Sequence, residues 1–285
     1  MAERPDLLTN PRSDRVRMVK RLSGRSARRR HGQFLVEGPQ GVREVVRHAP
    51  GRVRDLYLSA EAAERHPEIL AEARATVRHL HLATPEVLAA MSPDAQGVLA
   101  VVHTEPRDEL GPDLPRLVAV LPWAADPGNL GTVIRAADAA GADAVVLGPG
   151  SVEVHNPKVV RATAGSLFHL PVVPVDDLAD LVARWRSAGV QVLAAAADGA
   201  WDLDTLADHA LLADSARPAA VAPDLRRPTA WLFGNEAHGL RAEERAWADA
   251  VVRVPIHGSA ESLNLATAAT LCLYASARAH RRPAR

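Results

Sequence analysis

The chain has 285 residues, 47% of them hydrophobic, which is enough to bury one large core or two ordinary ones. A largely disordered protein is therefore excluded. The sequence has no signal-like start and no uninterrupted apolar run of about 18 residues, so we expect a cytoplasmic protein with no membrane span. The single cysteine, Cys272, excludes an internal disulfide and a cysteine-based metal cluster. We expect Cys272 in the core and predict no metal site.

The net charge of zero conceals a strongly basic segment near the N-terminus. Between Arg12 and Arg30, nine basic residues accompany one acid, Asp14, which gives a local net charge of +8. A basic arm of this kind indicates phosphate binding, although a solvated helix face would have the same composition. The candidate nucleic-acid contacts are the arginines Arg21, Arg25, Arg28, Arg29 and Arg30.

After this arm, short apolar strands alternate with helical segments. Thr84 and Pro85 mark the start of one helix, because threonine caps a helix and proline fits its first turn. A proline-rich stretch, Thr104 to Pro115, is predicted as a linker, so we expect two independently folding domains, residues 1–112 and 113–285. The predicted strands of the first are Gln33 to Gly38, Val53 to Leu58, Val77 to Leu82 and Gly97 to Val102, and its predicted helices include Pro39 to His48 and Glu61 to Ala75.

The second domain contains nearly continuous apolar strands that alternate with helices. This pattern indicates a parallel sheet covered on both faces. Its predicted strands are Leu117 to Leu121, Ala144 to Leu147, Val190 to Ala196, Ala230 to Phe233 and Val251 to Val254, and its predicted helices are Leu130 to Ala140, Leu178 to Ala188 and Ser262 to Ala279.

A first motif follows the first of these strands and spans residues 126–137, DPGNLGTVIRAA. Asn129 is placed to cap the following helix. Arg135 falls within that helix among small and apolar neighbours, where an unpaired charge is costly. Either a structural salt bridge or a contact with phosphate or a ribose hydroxyl would explain it.

Two further motifs also follow apolar strands. Residues 232–240, LFGNEAHGL, place Glu236 between glycines in a loop at the carboxyl end of a strand, where open α/β sheets bind ligands. Gly234 would allow a ligand to approach the backbone closely. Residues 254–266, VPIHGSAESLNLA, place Ser262 and Asn264 at or near the start of a helix, where either could be an ordinary cap.

Together, the order and wording of these motifs resemble the SpoU (TrmH-like) family of RNA 2'-O-ribose methyltransferases. The resemblance covers Leu117 to about Arg278 and implies an α/β fold, a SPOUT-type parallel sheet with a C-terminal trefoil knot. The preceding domain resembles the family's smaller L30e-like α/β substrate-binding domain, chiefly through Phe34 to Gly38. The stretch Asn156 to Gly165 also resembles the family, with Thr163 where serine is common.

The resemblance implies S-adenosylmethionine as cofactor and RNA as partner, and the basic arm with the L30e-like domain favours 23S ribosomal RNA over tRNA. Together with the apolar C-terminal helix from Leu263 to Ala277, the resemblance also predicts a homodimer. It makes Arg135 the residue that activates the target hydroxyl, with Asn129 beside it. It also implies that Glu236 shapes the active site, and that Ser262 and Asn264 place the RNA phosphate and the arginine. The residues implied to hold the cofactor are Gly234, Val254 and Leu263.

Several other interpretations stay open. A hydrolase would pair Ser262 with His257 or His238, but the sequence has no Gly-x-Ser-x-Gly turn, and no Gly-x-Gly-x-x-Gly motif indicates a dinucleotide site. A tRNA methyltransferase and a non-catalytic RNA-binding module are the main alternatives. Because an arginine stays protonated at physiological pH, Arg135 either orients the hydroxyl or has an unusual environment.

Overall fold

The computed structural model describes residues 7–104, 110, 113–212, 222–235 and 238–281. Contacts between residues divide the chain into two compact units. One comprises Met1–Pro106 with Glu153–His169, and the other comprises Arg107–Val152 with Leu170–Arg285. Most of the predicted linker lies outside the described residues, so the boundary between residues 112 and 113 stays a prediction.

Helices and strands alternate along most of the described chain, as the sequence predicts. Through residue 104 the elements are α1 Asp14–Arg21, α2 Arg25–His31, β1 Gln33–Glu37, α3 Gly38–His48, β2 Val53–Leu58, α4 Ala60–Arg65, α5 Pro67–Thr76, β3 Leu80–Leu82, α6 Pro85–Met91 and β4 Val98–His103. The later elements are β5 Leu117–Leu121, α7 Pro127–Ala140, β6 Ala144–Leu147, α8 Pro157–Ala162, β7 Val172–Pro174, α9 Leu178–Ser187, β8 Gln191–Ala195, β9 Trp201–Asp202, α10 Leu203–Leu211, β10 Thr229–Phe233, α11 Ala242–Arg245, β11 Ala250–Arg253 and α12 Leu265–His280.

In the first unit, the described residues form a four-stranded sheet in the order β1-β4-β2-β3. β4 runs antiparallel to β1 and β2, whereas β3 runs parallel to β2. The helix predicted from Glu61 to Ala75 is divided into α4 and α5 at Pro67, because proline has no backbone N–H to continue the first helix. Val77 ends α5, so the strand predicted from that residue begins only at Leu80.

The basic segment is folded rather than an extended arm. It forms α1 and α2, and the apolar side chains of Val16, Val19 and Leu22 are buried in one core cluster with Leu35 and Tyr57. These three apolar residues are spaced three apart, which places them on one side of a helix and leaves the basic residues on the other. The charge run therefore belongs to helices with one buried apolar side, and phosphate binding by its exposed members stays a prediction.

The 153–169 segment, Glu153–His169, packs within the first unit although its neighbours in sequence belong to the second. It contains α8, whose Val159 and Val160 are buried. The ring of His155 lies 4.3 Å from that of Phe34 in β1. Burial lowers the pKa of His155 to about 4, so this ring packs in its neutral form.

Ion pairs also hold the 153–169 segment. Arg161 pairs with the buried carboxylate of Glu37 and, at 3.0 Å, with Asp94. At Gly165, φ is +102°, and a Cβ atom there would lie 2.4 Å from the Cγ atom of Glu44. The close approach of this turn to α3 therefore requires glycine.

The second unit contains, among its described residues, a sheet of seven parallel strands in the order β7-β6-β5-β10-β8-β11-β9. This confirms the predicted parallel sheet. The two short edge strands, β7 and β9, were not predicted. Since all seven strands run in one direction, the loops after β5, β10 and β11, which carry the three motifs, lie at the same edge.

The C-terminal helix α12 packs mainly on α7 and covers the middle of this sheet. Cys272 is fully buried there, as predicted, and burial raises the pKa of its thiol. The indole N–H of Trp231 in β10 donates to the hydroxyl of Ser276 at 3.0 Å, which satisfies both buried polar groups. None of the helices in the described ranges is long and apolar enough to cross a membrane.

We predict that a fragment of residues 113–285 does not keep the 153–169 segment folded. Without β1 and α3, Val159 and Val160 lose the surfaces that bury them, whereas β5 and β10 keep their partner strands. Amide hydrogen exchange should become fast throughout α8 and stay slow in β5 and β10. The intact chain is the control, and equal protection of α8 in both proteins would contradict the prediction.

Candidate active site and RNA-contact residues

A cavity of about 360 Å³ opens at the carboxyl edge of the parallel sheet. The segments that follow β8, β10 and β11 line it together with the first residues of α12. Its volume lies within the range of sites that bind small molecules. The second and third motifs therefore form one concave site.

The three residues predicted to hold the cofactor, Gly234, Val254 and Leu263, all line this cavity. Most of the lining residues are apolar, and the polar ones are Asn235, Ser262 and Asn264. S-adenosylmethionine fits such a lining, because its flat adenine can pack on apolar surface and its charged methionine end can meet polar groups. The roles of the three residues in holding the cofactor stay predictions.

Gly234 is required by the shape of its own loop. A Cβ atom at this position would lie 2.3 Å from the carbonyl carbon of Gly239. Asn235 and Gly239 exchange two backbone hydrogen bonds, of 3.1 and 2.8 Å, which hold Gly239 close to the end of β10. The sequence predicted a close approach to Gly234 by a ligand, and the structure shows such an approach by protein backbone beside the cavity.

A hydrogen bond joins the first motif to the third. The Nδ2 atom of Asn264 donates to Oδ1 of Asn129 at 2.9 Å. The other side-chain atom of Asn264, Oδ1, accepts from the backbone N–H groups of Ala266 and Thr267 and caps α12. Asn264 is thus both a helix cap and a link between motifs.

Asn129 was predicted to cap α7, but the residue that caps this helix is Asp126. The carboxylate of Asp126 accepts from the backbone N–H of Asn129 at 2.7 Å, and Pro127 occupies the first helical position. The helix therefore begins three residues before the predicted start at Leu130, which frees the side chain of Asn129 to reach Asn264. The Asp-Pro pair was the signal for this start.

Arg135 is exposed, whereas its neighbours Ile134 and Ala136 are buried. Within the described part of the chain it makes no hydrogen bond or ion pair. The expected apolar surroundings are therefore wrong, because Arg135 lies on the outer face of α7. A structural salt bridge does not explain this arginine, and its guanidinium is available to a ligand.

Ser262 is exposed and lines the cavity, but it precedes the start of α12 by three residues. The helix predicted from Ser262 therefore begins later, and capping falls to Asn264. Among the described residues, Ser262 makes no hydrogen bond to His238 or His257, so the hydrolase pair is not formed. The remaining candidate, Glu236, lies outside the described residues.

Arg28 differs from the other basic candidates because it is buried, with 3% of its surface exposed. Its guanidinium donates to both carboxylate oxygens of Glu153, at 3.0 and 2.6 Å, and to the carbonyl oxygens of Leu22 and Ser23. Arg28 was predicted to contact RNA, but these bonds bury its guanidinium inside the protein and give it a structural role. They attach α2 to the 153–169 segment.

The other predicted contacts remain accessible. Arg21, Arg29 and Arg30 are exposed and make no ion pair within the described ranges. Arg25 is also exposed, although its Nε atom lies 3.8 Å from Glu153. These four side chains keep the accessibility that a phosphate contact requires, and their contact with RNA stays a prediction.

Comparison with known proteins gives matches along most of the chain. Residues 116–274 match the model of the SpoU rRNA Methylase family, and residues 35–107 match the model for RNA 2'-O ribose methyltransferase substrate binding. The 23S rRNA (guanosine(2553)-2'-O)-methyltransferase RlmP of Bacillus subtilis is 32% identical over 269 residues, covering 94% of this chain and 97% of that protein.

Two further similarities extend over both units. The 23S rRNA (uridine(2479)-2'-O)-methyltransferase of Streptomyces viridochromogenes is 34% identical over 268 residues, covering 90% of this chain and 86% of that protein. The crystal structure of an AdoMet-bound rRNA methyltransferase from Sinorhizobium meliloti matches with a TM-score of 0.76 and 27% identity, covering 96% of this chain and 97% of that chain.

The capping role of Asn264 can be tested by substitution. Asn264→Ala should lower the free energy of unfolding by about 1 kcal/mol through loss of the cap. Asn264→Asp keeps the capping oxygen and should change stability by less than about 0.5 kcal/mol. Urea denaturation measures both, and Ser262→Ala is the control, expected to match the unchanged protein. A fully stable Asn264→Ala variant would contradict the capping role.

Proposed function

The chain belongs to the SpoU rRNA methylase family, and on this premise we propose that it transfers a methyl group from S-adenosylmethionine to a ribose 2'-hydroxyl of 23S ribosomal RNA. The observation that carries the proposal is the meeting of the three motifs at one sheet edge. The second and third motifs form the cavity. The bond between Asn264 and Asn129 places the first motif beside it.

When bound, S-adenosylmethionine supplies an activated methyl group, and the protein must position a weak nucleophile against it. In this proposal, Asn129 and Asn264 fix the polar rim at which the ribose meets the cavity. The guanidinium of Arg135 donates hydrogen bonds to the hydroxyl oxygen or the adjoining phosphate. It thereby orients the nucleophile and stabilises negative charge that develops on the oxygen.

The first unit is assigned to RNA binding. Arg21, Arg25, Arg29 and Arg30 lie exposed on or beside two helices of that unit, and their charge favours phosphate contacts. The ribosomal substrate is taken from the relatives RlmP and the uridine(2479) enzyme. A ribosomal substrate also supports a cytoplasmic location, because ribosomes are found there.

We include a homodimer and a C-terminal trefoil knot in the proposal. The support for a dimer is an apolar surface on α12, where Leu271 and Tyr274 are 43% and 48% exposed. They border a second cavity, of about 670 Å³, together with the small residues Ala139 and Ala140 of α7. Exposed apolar surface next to small residues is typical of a protein interface. The knot rests on membership of the family.

Mapping 2'-O-methyl groups tests the function directly. RNA from a deletion strain should lack one or more 2'-O-methyl groups in 23S rRNA that the parent strain carries, and the purified protein should restore them with S-adenosylmethionine. Loss of a methyl group from tRNA alone would contradict the ribosomal substrate. Unchanged methylation in all RNA, with no transfer by the purified protein, would contradict catalysis.

We predict that Arg135→Ala lowers single-turnover methyl transfer by about 100-fold or more. Because Arg135 is exposed and lies outside the cavity lining, stability should change by less than about 0.5 kcal/mol and cofactor affinity should be retained. Thermal melting and calorimetry with S-adenosylmethionine check these two properties. Thr132→Ala, one turn earlier on the same helix, is the matched control. Near-normal turnover in Arg135→Ala would remove this residue from catalysis.

The dimer is tested at the apolar surface of α12. Light scattering at micromolar concentration should give twice the chain mass for the unchanged protein and a lower mass for Leu271→Glu, because the substitution buries a charge in the interface. Arg184→Glu, on the exposed face of α9, should leave the dimer intact. A monomer mass for the unchanged protein would contradict the proposal.

A further inference from the structure

Two aromatic rings lie near each other at the edge of the sheet that carries the motifs. The ring centroids of Trp123 and His238 are 6.5 Å apart, and the ring planes are inclined by only 14°. Trp123 is 45% exposed, although tryptophan usually buries most of its surface. The proposed transfer reaction uses neither residue.

Both rings stand on anchored backbone in loops that follow neighbouring strands, β5 and β10. On one side, the residue after Trp123, Ala124, donates its N–H to the hydroxyl of Ser151 at 3.1 Å and accepts from the N–H of Val152 at 2.8 Å. On the other side, His238 precedes Gly239, which is fixed by its two hydrogen bonds to Asn235. The residue that follows each ring is therefore fixed by hydrogen bonds.

The two loops also border the proposed active site. Trp123 lies three residues before Asp126, the cap of the helix that carries Asn129. Gly239, beside His238, lines the cavity. A group held by the two rings would therefore lie next to the place where the ribose is to be positioned.

The near-parallel rings suit a nucleobase. Successive stacked bases are about 3.4 Å apart, so a base between two rings needs ring planes about 7 Å apart. The centroid distance of 6.5 Å between Trp123 and His238 is an upper limit for the spacing of their planes, so these two exposed side chains must rotate apart to admit a base. Tryptophan and histidine are among the side chains on which proteins stack unpaired bases. Such stacking reads the flat face of a base and tolerates any base identity.

We propose that Trp123 and His238 form a clamp that stacks one unpaired nucleobase of the RNA beside the target ribose. This inference rests on the proposed function and adds a positioning contact to it. A base in the clamp has left its own helical stack, so the substrate class is a nucleotide in a loop, a bulge or a flipped-out conformation rather than one within a regular duplex.

The competing explanation is an ordinary structural pair, because aromatic rings up to about 7 Å apart also stabilise one another directly. The two explanations predict different losses. A structural pair affects the melting temperature in the absence of RNA. A base clamp affects the use of RNA and leaves the melting temperature and cofactor affinity unchanged.

The first test measures steady-state methylation of an unmodified 23S rRNA transcript with radiolabelled S-adenosylmethionine. Trp123→Ala and His238→Ala should each lower kcat/KM for the RNA by about 5- to 100-fold, with KM for the cofactor unchanged. Trp123→Phe keeps a ring and should recover most of the activity. Trp247→Phe, at a half-buried tryptophan outside the two loops, is the matched control and should behave as the unchanged protein.

The second test follows tryptophan fluorescence during titration with the same transcript and does not depend on turnover. A base stacked on Trp123 should quench its emission in the unchanged protein and in Trp247→Phe. The quenching should be lost in Trp123→Phe and weakened in His238→Ala. Equal quenching with and without Trp123 would overturn the clamp, as would full activity in both alanine variants.

The two measurements also separate failure of the clamp from failure of the proposed function. If the unchanged protein methylates the transcript but Trp123 is not quenched, the clamp is wrong and the function stands. If it transfers no methyl group but RNA quenches Trp123, the function is wrong and base stacking stands. A fall in melting temperature in both alanine variants, without any RNA-dependent effect, would support the structural pair and overturn the clamp.

Discussion

The hydrogen bond between the side chains of Asn264 and Asn129 is the contact on which the geometry of the site depends. One end belongs to the N-terminal cap of α12 and the other to the first turn of α7. Because both helices pack on the parallel sheet, an amide that caps one helix also fixes the position of the other motif. The side chain of Asn264 therefore serves two purposes. Its Oδ1 atom accepts hydrogen bonds at the start of α12, and its Nδ2 atom donates the hydrogen bond that joins the motifs.

The pattern of apolar residues predicts the second sheet well because its strands are buried on both faces. Two of its strands, Leu117–Leu121 and Ala144–Leu147, have the bounds expected from the sequence, as has Val53–Leu58 in the sheet of the first unit. Short edge strands such as Trp201–Asp202 carry too few residues to produce a pattern. The first two helices were missed for another reason, since their dense charge concealed the apolar spacing of Val16 and Val19.

In the candidate site, sequence reasoning identified the residue types but not their contacts. The partners Asn129 and Asn264 are 135 residues apart, and Arg28 is 125 residues from Glu153, so neither pair could be inferred from spacing along the chain. A run of arginines predicts phosphate binding equally for each member. The structure separates them by exposure, and Arg28 is the one whose charge is used inside the protein.

The membership of the 153–169 segment in the first unit constrains how relatives of this protein can recombine. A chimera joined once, at the linker, would combine the first unit of one parent with the 153–169 segment of another. Residues such as Arg161 and Glu37, or Gly165 and Glu44, would then have to match by chance. A chimera that keeps these contacts must therefore take both pieces of the first unit, Met1–Pro106 and Glu153–His169, from the same parent.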